Sequence, residues 1–281
     1  MTMRISVEFF PASTPENHKK LEETMIRYAT EVKMDFVSLT CGAGGSDIRR
    51  EFLLAAMNKL AALDLKVIAH LPHLGRSKTE VTNLLKDFSD AGAVGFLALR
   101  GDTPTEAQFR PHPDGFSHTS EFVQHIKGLY PNAPIYVAGY PEKHPESSDT
   151  DTDLHHLKQK INGGASGILG QFCFDSALFS QWKEKCYTYG ITANTDIIPG
   201  IIGLMNYERM CSRAKEHGVT IPDWVHQVFK NVTHGTEAYS KASQAAMREQ
   251  LDSLQSAGED RVHVYALNSR NFVDVLSYSQ H

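Results

Sequence analysis

Glu8 is the first candidate for a catalytic residue, because it is a carboxylate inside an otherwise apolar stretch. It lies in RISVEFFP, residues 4–11, beside Val7, Phe9 and Phe10. The alternating pattern and the closing proline predict a short β-strand that runs into a loop. Burial would raise the pKa of this carboxyl, which suits a general acid that holds its proton near neutral pH. The alternative is a structural acid paired with a core Lys or Arg.

Polar side chains also stand at the ends of most other predicted strands. In a barrel of parallel strands these ends meet at one face, which is where active sites of such barrels lie. The polar residues at these positions are Glu8, Thr40, His70, Arg100, Asp102, Tyr140, His144 and Gln171. Structural alternatives exist: Gln171 could satisfy neighbouring backbone, and Arg100 with Asp102 could form a local ion pair.

The elements that must position these residues alternate between strand and helix along the whole chain. The first helix has a clear start, with Thr14 as N-cap followed by Pro15 and Glu16. Later helices show apolar residues at helical spacing. The predicted strands lie within residues 4–11, 36–41, 66–71, 94–100, 134–140, 167–174, 196–201 and 262–267.

Eight strands separated by helices, without a linker, predict an α/β protein with one (β/α)8 TIM barrel. This single catalytic domain covers residues 1–281, with a helical insertion at about residues 221–257 before the last strand. An open doubly wound sheet is the alternative, but the first strand-to-helix turn lacks the Gly-x-Gly-x-x-Gly phosphate loop of a dinucleotide-binding opening.

The composition favours a soluble enzyme of small molecules. The 281 residues are 41% apolar and 22% charged, and no apolar run reaches the length of a membrane span. The net charge of −5 comes from acids and bases mixed along the chain, which argues against nucleic-acid and membrane-surface partners. No secretory signal opens the sequence, so we expect a cytoplasmic protein.

The four cysteines show no metal-binding spacing, so reduced thiols are expected at Cys41, Cys173, Cys186 and Cys211. His70 and His73 form a His-x-x-His pair, but an extended segment does not by itself place both imidazoles on one ion. No metal site is therefore predicted.

At this point a set of motifs resembles the methylenetetrahydrofolate reductase family, in its short bacterial form with the catalytic barrel only. LRGD, YPExHPE and QFxFD are specific when they occur together and in this order. The resembling segments are VEFFP (7–11), FVSLTCGAGGS (36–46), AHL (69–71), ALRGDTP (98–104), GYPEKHPES (139–147), DLHHLKQKINGGA (153–165), GQFCFD (170–175), IIPGI (197–201) and YALN (265–268).

The resemblance implies a flavoprotein of one-carbon metabolism and methionine biosynthesis. Members of this family bind FAD, reduce it with NADH or NADPH, and pass the hydride to 5,10-methylenetetrahydrofolate in a ping-pong reaction that yields 5-methyltetrahydrofolate. The cofactor carries the hydride, and the protein supplies orientation and electrostatics. The resemblance also leads us to expect a folate as the small-molecule substrate, and we expect a homo-oligomer.

The resemblance also implies roles for individual residues. Glu8 matches the general acid that protonates the bridging folate nitrogen, so that the ring opens to an iminium ion. Asp102 matches the acid between flavin and folate, and Gln171 the residue that meets folate and nicotinamide alternately. Arg209 and Arg270 complete the predicted substrate-binding set.

The implied flavin cradle draws on four strand ends, those of the second to fifth strands, and on the helix after the fifth strand. Its Arg and Lys would supply charge for the diphosphate, and Thr40 lies where the nicotinamide is held. The cofactor-binding set is Thr40, Cys41, Ala43, His70, Leu99, Arg100, Gly101, Asp102, Tyr140, His144, Ser147, Asp153, His156, Gln159 and Lys160.

Some positions depart from the family pattern. The aromatic residue that commonly stacks on the benzoyl ring of folate aligns with Arg213, and the arginine that usually follows Leu-Asn aligns with Ser269. The departures in the flavin cradle are Cys41 for Tyr, His156 for Asn and Gln159 for Arg.

Three other functions stay open on the sequence alone. A paralogue could run mainly as a methyl-folate oxidase in a demethylation pathway, and a carrier could bind flavin or folate without catalysis. A metal-dependent barrel hydrolase would use as ligands Glu8, His70, Asp102 and His144.

Overall fold

Eight parallel strands close into a barrel in sequence order, which confirms the expected (β/α)8 fold. The computed structural model describes residues 3–41, 50–101 and 110–280. The last strand pairs with the first and closes the ring. The strands are β1 (Arg4–Phe9), β2 (Met34–Leu39), β3 (Val67–Pro72), β4 (Ala93–Leu99), β5 (Ile135–Gly139), β6 (Gly167–Phe172), β7 (Asp196–Ile202) and β8 (Arg261–Tyr265).

Helices follow the strands around the outside of the barrel. They are α1 (Pro15–Glu31), α2 (Arg50–Ala62), α3 (Lys78–Asp90), α4 (Thr119–Leu129), α5 (Thr150–Asn162), α6 (Ser176–Thr188), α7 (Tyr207–His217), α8 (Asp223–Phe229), α9 (Glu237–Ser256) and α10 (Val273–Tyr278), with a 3₁₀ turn at Arg270–Phe272. The segment predicted as an insertion, about residues 221–257, contains α8 and α9; that it is an addition to the barrel stays a prediction. In the described part of the chain, no helix has the length and apolar character needed to cross a membrane.

The strand boundaries differ from the predicted ones by up to two residues, and β6 shows why. This strand was predicted to reach residue 174, but it ends at Phe172. Its pairing with β7 shifts register between Leu169 and Phe172, which is a local irregularity of the kind that re-aims side chains. An apolar run does not reveal such a shift.

The interior of the barrel is a packed apolar layer below the site. Successive side chains on a strand point alternately to the helices and to the barrel axis. This layer therefore closes the barrel beneath the carboxyl ends of the strands. The buried cluster inside the barrel is formed by Phe36, Ile68, Leu97, Tyr136, Leu169 and Ile198, with Leu99 packed against it.

The predicted N-cap of α1 is confirmed. Thr14 Oγ1 accepts a hydrogen bond from the Asn17 backbone N at 3.3 Å, and Pro15 occupies the first helical position. We expect Thr14→Ala to lower the free energy of unfolding by about 1 kcal/mol, because one N–H at the helix start loses its acceptor. Chemical denaturation measures this change. Thr14→Ser keeps the acceptor and should be near neutral; an equal loss in both variants would contradict the cap.

Candidate active site

Glu8 lies at the carboxyl end of β1, in the mouth of the barrel, and is only 6% exposed. It pairs through the backbone with Ser38 of β2 and Tyr265 of β8. Its Oε2 lies 3.5 Å from Nε2 of His70, in the second half of β3. The structure therefore brings together two of the residues that the sequence placed at strand ends.

Burial sets the protonation of both groups. Loss of hydration raises the pKa of Glu8 to about 8, although the positive charge of Arg213 acts in the opposite direction. Burial lowers the pKa of His70 to about 3. The 3.5 Å contact is within ion-pair distance, yet it is a contact of two neutral groups at pH 7, because burial disfavours both charged forms. Glu8 therefore holds a proton that it can donate.

A hydrogen-bonded triad of Ser6, Ser38 and His263 lies one layer below Glu8. Ser6 Oγ donates to the Val262 carbonyl at 3.2 Å, so it accepts from His263 Nδ1 at 2.8 Å. The other ring nitrogen, Nε2, then accepts from Ser38 Oγ at 3.3 Å. This arrangement satisfies a neutral imidazole, and burial lowers its pKa to about 3.

Sequence reasoning missed this triad. The sequence analysis assigned no role to Ser6, Ser38 or His263. The available signal was the two-residue period, which places Ser6 on the same side of β1 as Glu8. The hydrogen bonds of the triad hold three polar side chains in fixed positions directly below Glu8.

Two polar atoms at the mouth are buried without a hydrogen-bond partner. Within the described ranges, neither Thr40 Oγ1 nor His70 Nε2 has one, and these residues are 7% and 6% exposed. Buried polar atoms in native proteins are nearly always satisfied, so such exceptions mark places where a ligand can supply the missing group. Both residues belong to the predicted cofactor-binding set.

Gln171 and Tyr265 complete the mouth on the side of β6 and β8. Tyr265 Oη donates to the Gly170 carbonyl at 2.9 Å, and burial together with the nearby Glu8 raises the pKa of this phenol. Gln171 is half-buried, and its Oε1 accepts from the Phe172 backbone N at 3.0 Å. Tyr265 was not predicted as a site residue, although it stands in the YALN motif.

The loop after β5 and the first turn of α5 hold four predicted cofactor-binding residues in one compact unit. Asp153 accepts from the His144 backbone N at 3.2 Å and from Ser147 Oγ at 3.5 Å. The rings of Tyr140 and His144 meet edge to face, with centroids 4.5 Å apart. Lys143 has a left-handed φ of 76° and donates to the His144 carbonyl at 3.2 Å. These bonds fix the loop at the rim.

Arg100 and Lys160 are the two cations of the predicted cofactor-binding set. Arg100, which follows β4, forms a bidentate ion pair with Glu146, at 2.5 and 2.8 Å. Lys160 Nζ lies 3.5 Å from the Ala138 carbonyl, and burial lowers its pKa. Gly101 has a φ of 97°, and a Cβ there would meet the Pro72 Cβ at 2.9 Å, so this turn requires glycine.

The remaining residues of the predicted cofactor-binding set lie in other places or outside the described residues. Leu99 packs on the interior layer, and Cys41 is half-buried after β2, where burial raises the pKa of its thiol. Asp102 and Ala43 lie outside the described residues, so their predicted roles stay predictions. His156 and Gln159 are exposed on α5. They line an open groove between α4 and α5 with His118, Ser120, Gln124, His155 and Asn162.

The two arginines predicted to bind substrate have different positions. Arg209 is exposed on α7. Arg270 points to α1, where it forms an ion pair with Glu23 at 2.8 Å and donates to Thr24 Oγ1 at 3.1 Å. The structure therefore does not bring the Arg270 guanidinium to the barrel mouth, because the acid of α1 holds it. A motif read along the chain gives no information on such a distant partner.

The described residues contain no group of three or more His, Cys, Asp or Glu side chains placed to hold a metal ion. In the described part of the site, the chemistry at the mouth is therefore that of a neutral carboxylic acid beside a neutral imidazole, with polar and cationic groups around the rim. Such a site can bind an anionic or heteroaromatic ligand and deliver one proton to it.

Comparison with solved structures supports the fold. An uncharacterised protein from Clostridium thermocellum, described as binding two copies of 5-methyl-5,6,7,8-tetrahydrofolic acid, superposes with a TM-score of 0.66 at 14% identity, over 99% of this chain and 96% of the other. A dihydropteroate synthase from Xanthomonas albilineans gives a TM-score of 0.54 at 14% identity, over 99% and 92% of the two chains. At these identities the likeness shows the barrel.

Sequence relatives are more specific. The 5,10-methylenetetrahydrofolate reductase of Pectobacterium carotovorum is 28% identical over 266 residues, covering 95% of this chain and 86% of the relative. The enzyme of the same name from Escherichia coli is 29% identical, with the same coverage. Methylenetetrahydrofolate reductase 1 of Schizosaccharomyces pombe is 30% identical over 96% of this chain, which matches 45% of that longer protein.

The family model described as methylenetetrahydrofolate reductase matches residues 1–278, almost the whole length. The resemblance seen in the motifs is thus confirmed over the full barrel. The chain belongs to the methylenetetrahydrofolate reductase family, whose named members are oxidoreductases of folate metabolism.

Proposed function

We propose that this protein is an FAD-dependent 5,10-methylenetetrahydrofolate reductase that interconverts 5,10-methylenetetrahydrofolate and 5-methyltetrahydrofolate with NADH or NADPH. The observation that carries the proposal is Glu8, a carboxyl in the barrel mouth whose pKa burial raises to about 8. This reaction needs an acid that is still protonated at neutral pH. The methyl-folate described for the Clostridium thermocellum protein of the same fold agrees with a folate substrate.

The residues at the rim fit a flavin dinucleotide. Thr40 Oγ1 and His70 Nε2 are buried polar atoms without a partner in the described ranges, so a ring system with donors and acceptors can satisfy them. Arg100 and Lys160 can face a diphosphate, and the loop of Tyr140 and Ser147 can hold the ribityl and ribose groups. When bound, FAD would carry the hydride between nicotinamide and folate.

Glu8 is the proton donor in this proposal. Its protonated carboxyl gives a proton to the bridging nitrogen of 5,10-methylenetetrahydrofolate, which makes the bond from that nitrogen to the methylene carbon easier to break. His70, 3.5 Å away, is neutral and therefore adds no positive charge beside the carboxyl. Gln171 orients the pterin, and Asp102 stays a predicted partner of flavin and folate.

The decisive experiment is an anaerobic titration of the purified protein reconstituted with FAD. We expect a flavin spectrum that is bleached by NADH or NADPH and also by 5-methyltetrahydrofolate. The reductant that bleaches the flavin most readily identifies the preferred nicotinamide. Comparison of the nicotinamides with 5-methyltetrahydrofolate identifies the direction in which the reaction runs. Light scattering on the same sample tests the predicted homo-oligomer.

Each alternative function gives a different result in this titration. A colourless protein with stoichiometric metal would indicate the barrel hydrolase and overturn the proposal. A yellow protein that is not bleached by any nicotinamide or folate would be a carrier. Bleaching by methyl-folate with little nicotinamide turnover in the reductive direction would indicate the oxidase.

A further inference from the structure

Two acids of the GYPEKHPES motif, Glu142 and Glu146, have no role in the proposed function. The structure turns them in opposite directions. Glu146 reaches Arg100 after β4, whereas Glu142 reaches the segment between α7 and α8, 78 residues further along the chain. The loop after β5 is therefore attached to other elements on both of its sides.

The contact of Glu142 is a hydrogen bond to the backbone of that segment. Both carboxylate oxygens, Oε1 and Oε2, accept from the Thr220 backbone N, at 2.9 and 3.0 Å. Pro145, in the same loop, lies beside the end of α7, where a Cβ built on Gly218 would be 3.7 Å from Pro145 Cγ. Hydrogen bonds to an ionised carboxylate are stronger than those between neutral groups, so Glu142 makes the stronger of the two contacts.

α7 lies at the carboxyl ends of the strands, because α9 takes the outer position beside β7 and α6. α7 begins after Asn206, and the preceding Met205 accepts a hydrogen bond at its sulfur from Ser269 after β8, at 3.1 Å. Its 11 residues make it about 16 Å long. Neighbouring strands are only about 5 Å apart, so α7 is long enough to reach from the end of β7 to the loop after β5. It borders the half of the mouth that holds Gln171 and Tyr265.

We propose that Glu142 is a positioning residue that couples the loop after β5 to α7 and α8. This inference rests on the proposed function, which assigns Tyr140 and Ser147 of this loop to FAD. A cofactor that fixes the loop then also fixes the two helices, because the bond from Thr220 to Glu142 joins them. Such coupling is reciprocal, so loss of the bond also weakens cofactor binding.

Hydrogen/deuterium exchange of the full chain, with and without saturating FAD, measures this coupling. In the unmodified protein FAD should slow exchange about tenfold in residues 140–149 and also in residues 218–223. In Glu142→Ala the slowing should remain in the first segment and disappear from the second. Glu142→Gln keeps a neutral acceptor and should keep part of the effect. A fluorescence titration should give a dissociation constant for FAD about three- to tenfold higher in Glu142→Ala.

Glu216→Gln is the matched control, because it removes the same charge close to the same segment. Glu216 is exposed on α7 and accepts from Ser212 Oγ of its own helix, at 3.3 Å. We expect this variant to behave like the unmodified protein in the exchange measurement and in the titration.

Two results would overturn the proposal. One is an unmodified protein in which FAD does not slow exchange in residues 218–223, and the other is a slowing there that is equally large in Glu142→Ala. If the unmodified protein binds no FAD, the proposed function itself fails, and the coupling is judged on the proteins without cofactor. Faster exchange of α7, residues 207–217, in Glu142→Ala than in the control would then support it, and unchanged exchange would overturn it.

Discussion

Glu8→Gln is expected to slow the transfer between flavin and folate by about a hundred- to ten-thousandfold, the usual contribution of a positioned general acid. Reduction of the flavin by NADH or NADPH should stay within a few-fold of the unmodified protein, because that half-reaction needs no proton from Glu8. The amide has the size of the carboxyl and, like the protonated acid, no charge. The substitution therefore removes the acidic proton and little else from the neighbourhood of His70.

Stopped-flow absorbance under anaerobic conditions measures the two half-reactions separately. Glu259→Gln serves as a matched control, because Glu259 is also buried, at 8% exposed, but is paired with Lys183 at 2.7 Å instead of facing the mouth. We expect this control to lower the free energy of unfolding. The rates of both half-reactions should stay close to those of the unmodified protein. A comparable loss in both half-reactions of Glu8→Gln would show that Glu8 has a structural role.

The fold and part of the site could be predicted because they depend on local pattern. Strand and helix periods, the cap at Thr14 and the order of the strand ends were enough to place Glu8 and His70 at one face of a barrel. The structure confirms the barrel and brings these two side chains to 3.5 Å. The position of each residue along its strand was therefore sufficient to predict that Glu8 and His70 lie at the same face.

What could not be predicted depends on partners far away in the sequence. The hydrogen bond from His263 to Ser6 joins the two ends of the chain, across 257 residues. Arg270 turns to α1 because Glu23, 247 residues earlier, lies there. A motif shows that an arginine is present but not which acid will hold it.

The same burial that prepares Glu8 for proton donation has a cost in stability. A carboxyl with a pKa of about 8 in the folded protein and 4.5 when exposed is bound to its proton more tightly in the folded state. Its contribution to the free energy of unfolding is therefore fully present below pH 4.5 and is lost as the pH rises towards 8. The burial that keeps Glu8 protonated for catalysis therefore lowers the free energy of unfolding at neutral pH.

We expect Glu8→Gln to be more stable than the unmodified protein at pH 7, by about 3 kcal/mol, and nearly equal to it at pH 4.5. The reason is that the glutamine cannot ionise, so only the unmodified protein must either keep a proton or bury a charge as the pH rises. Chemical denaturation of both proteins at intervals from pH 4.5 to pH 8 measures the difference.

The difference between the two proteins isolates Glu8 from the buried histidines. His70 and His263, whose pKa values burial lowers to about 3, add stability as the pH rises towards 6.5, the opposite direction, but both proteins contain them. Parallel stability curves would mean that Glu8 ionises freely in the folded state. It would then be unable to act as the acid at neutral pH, and the stability measurement would contradict the proposed role without any assay of activity.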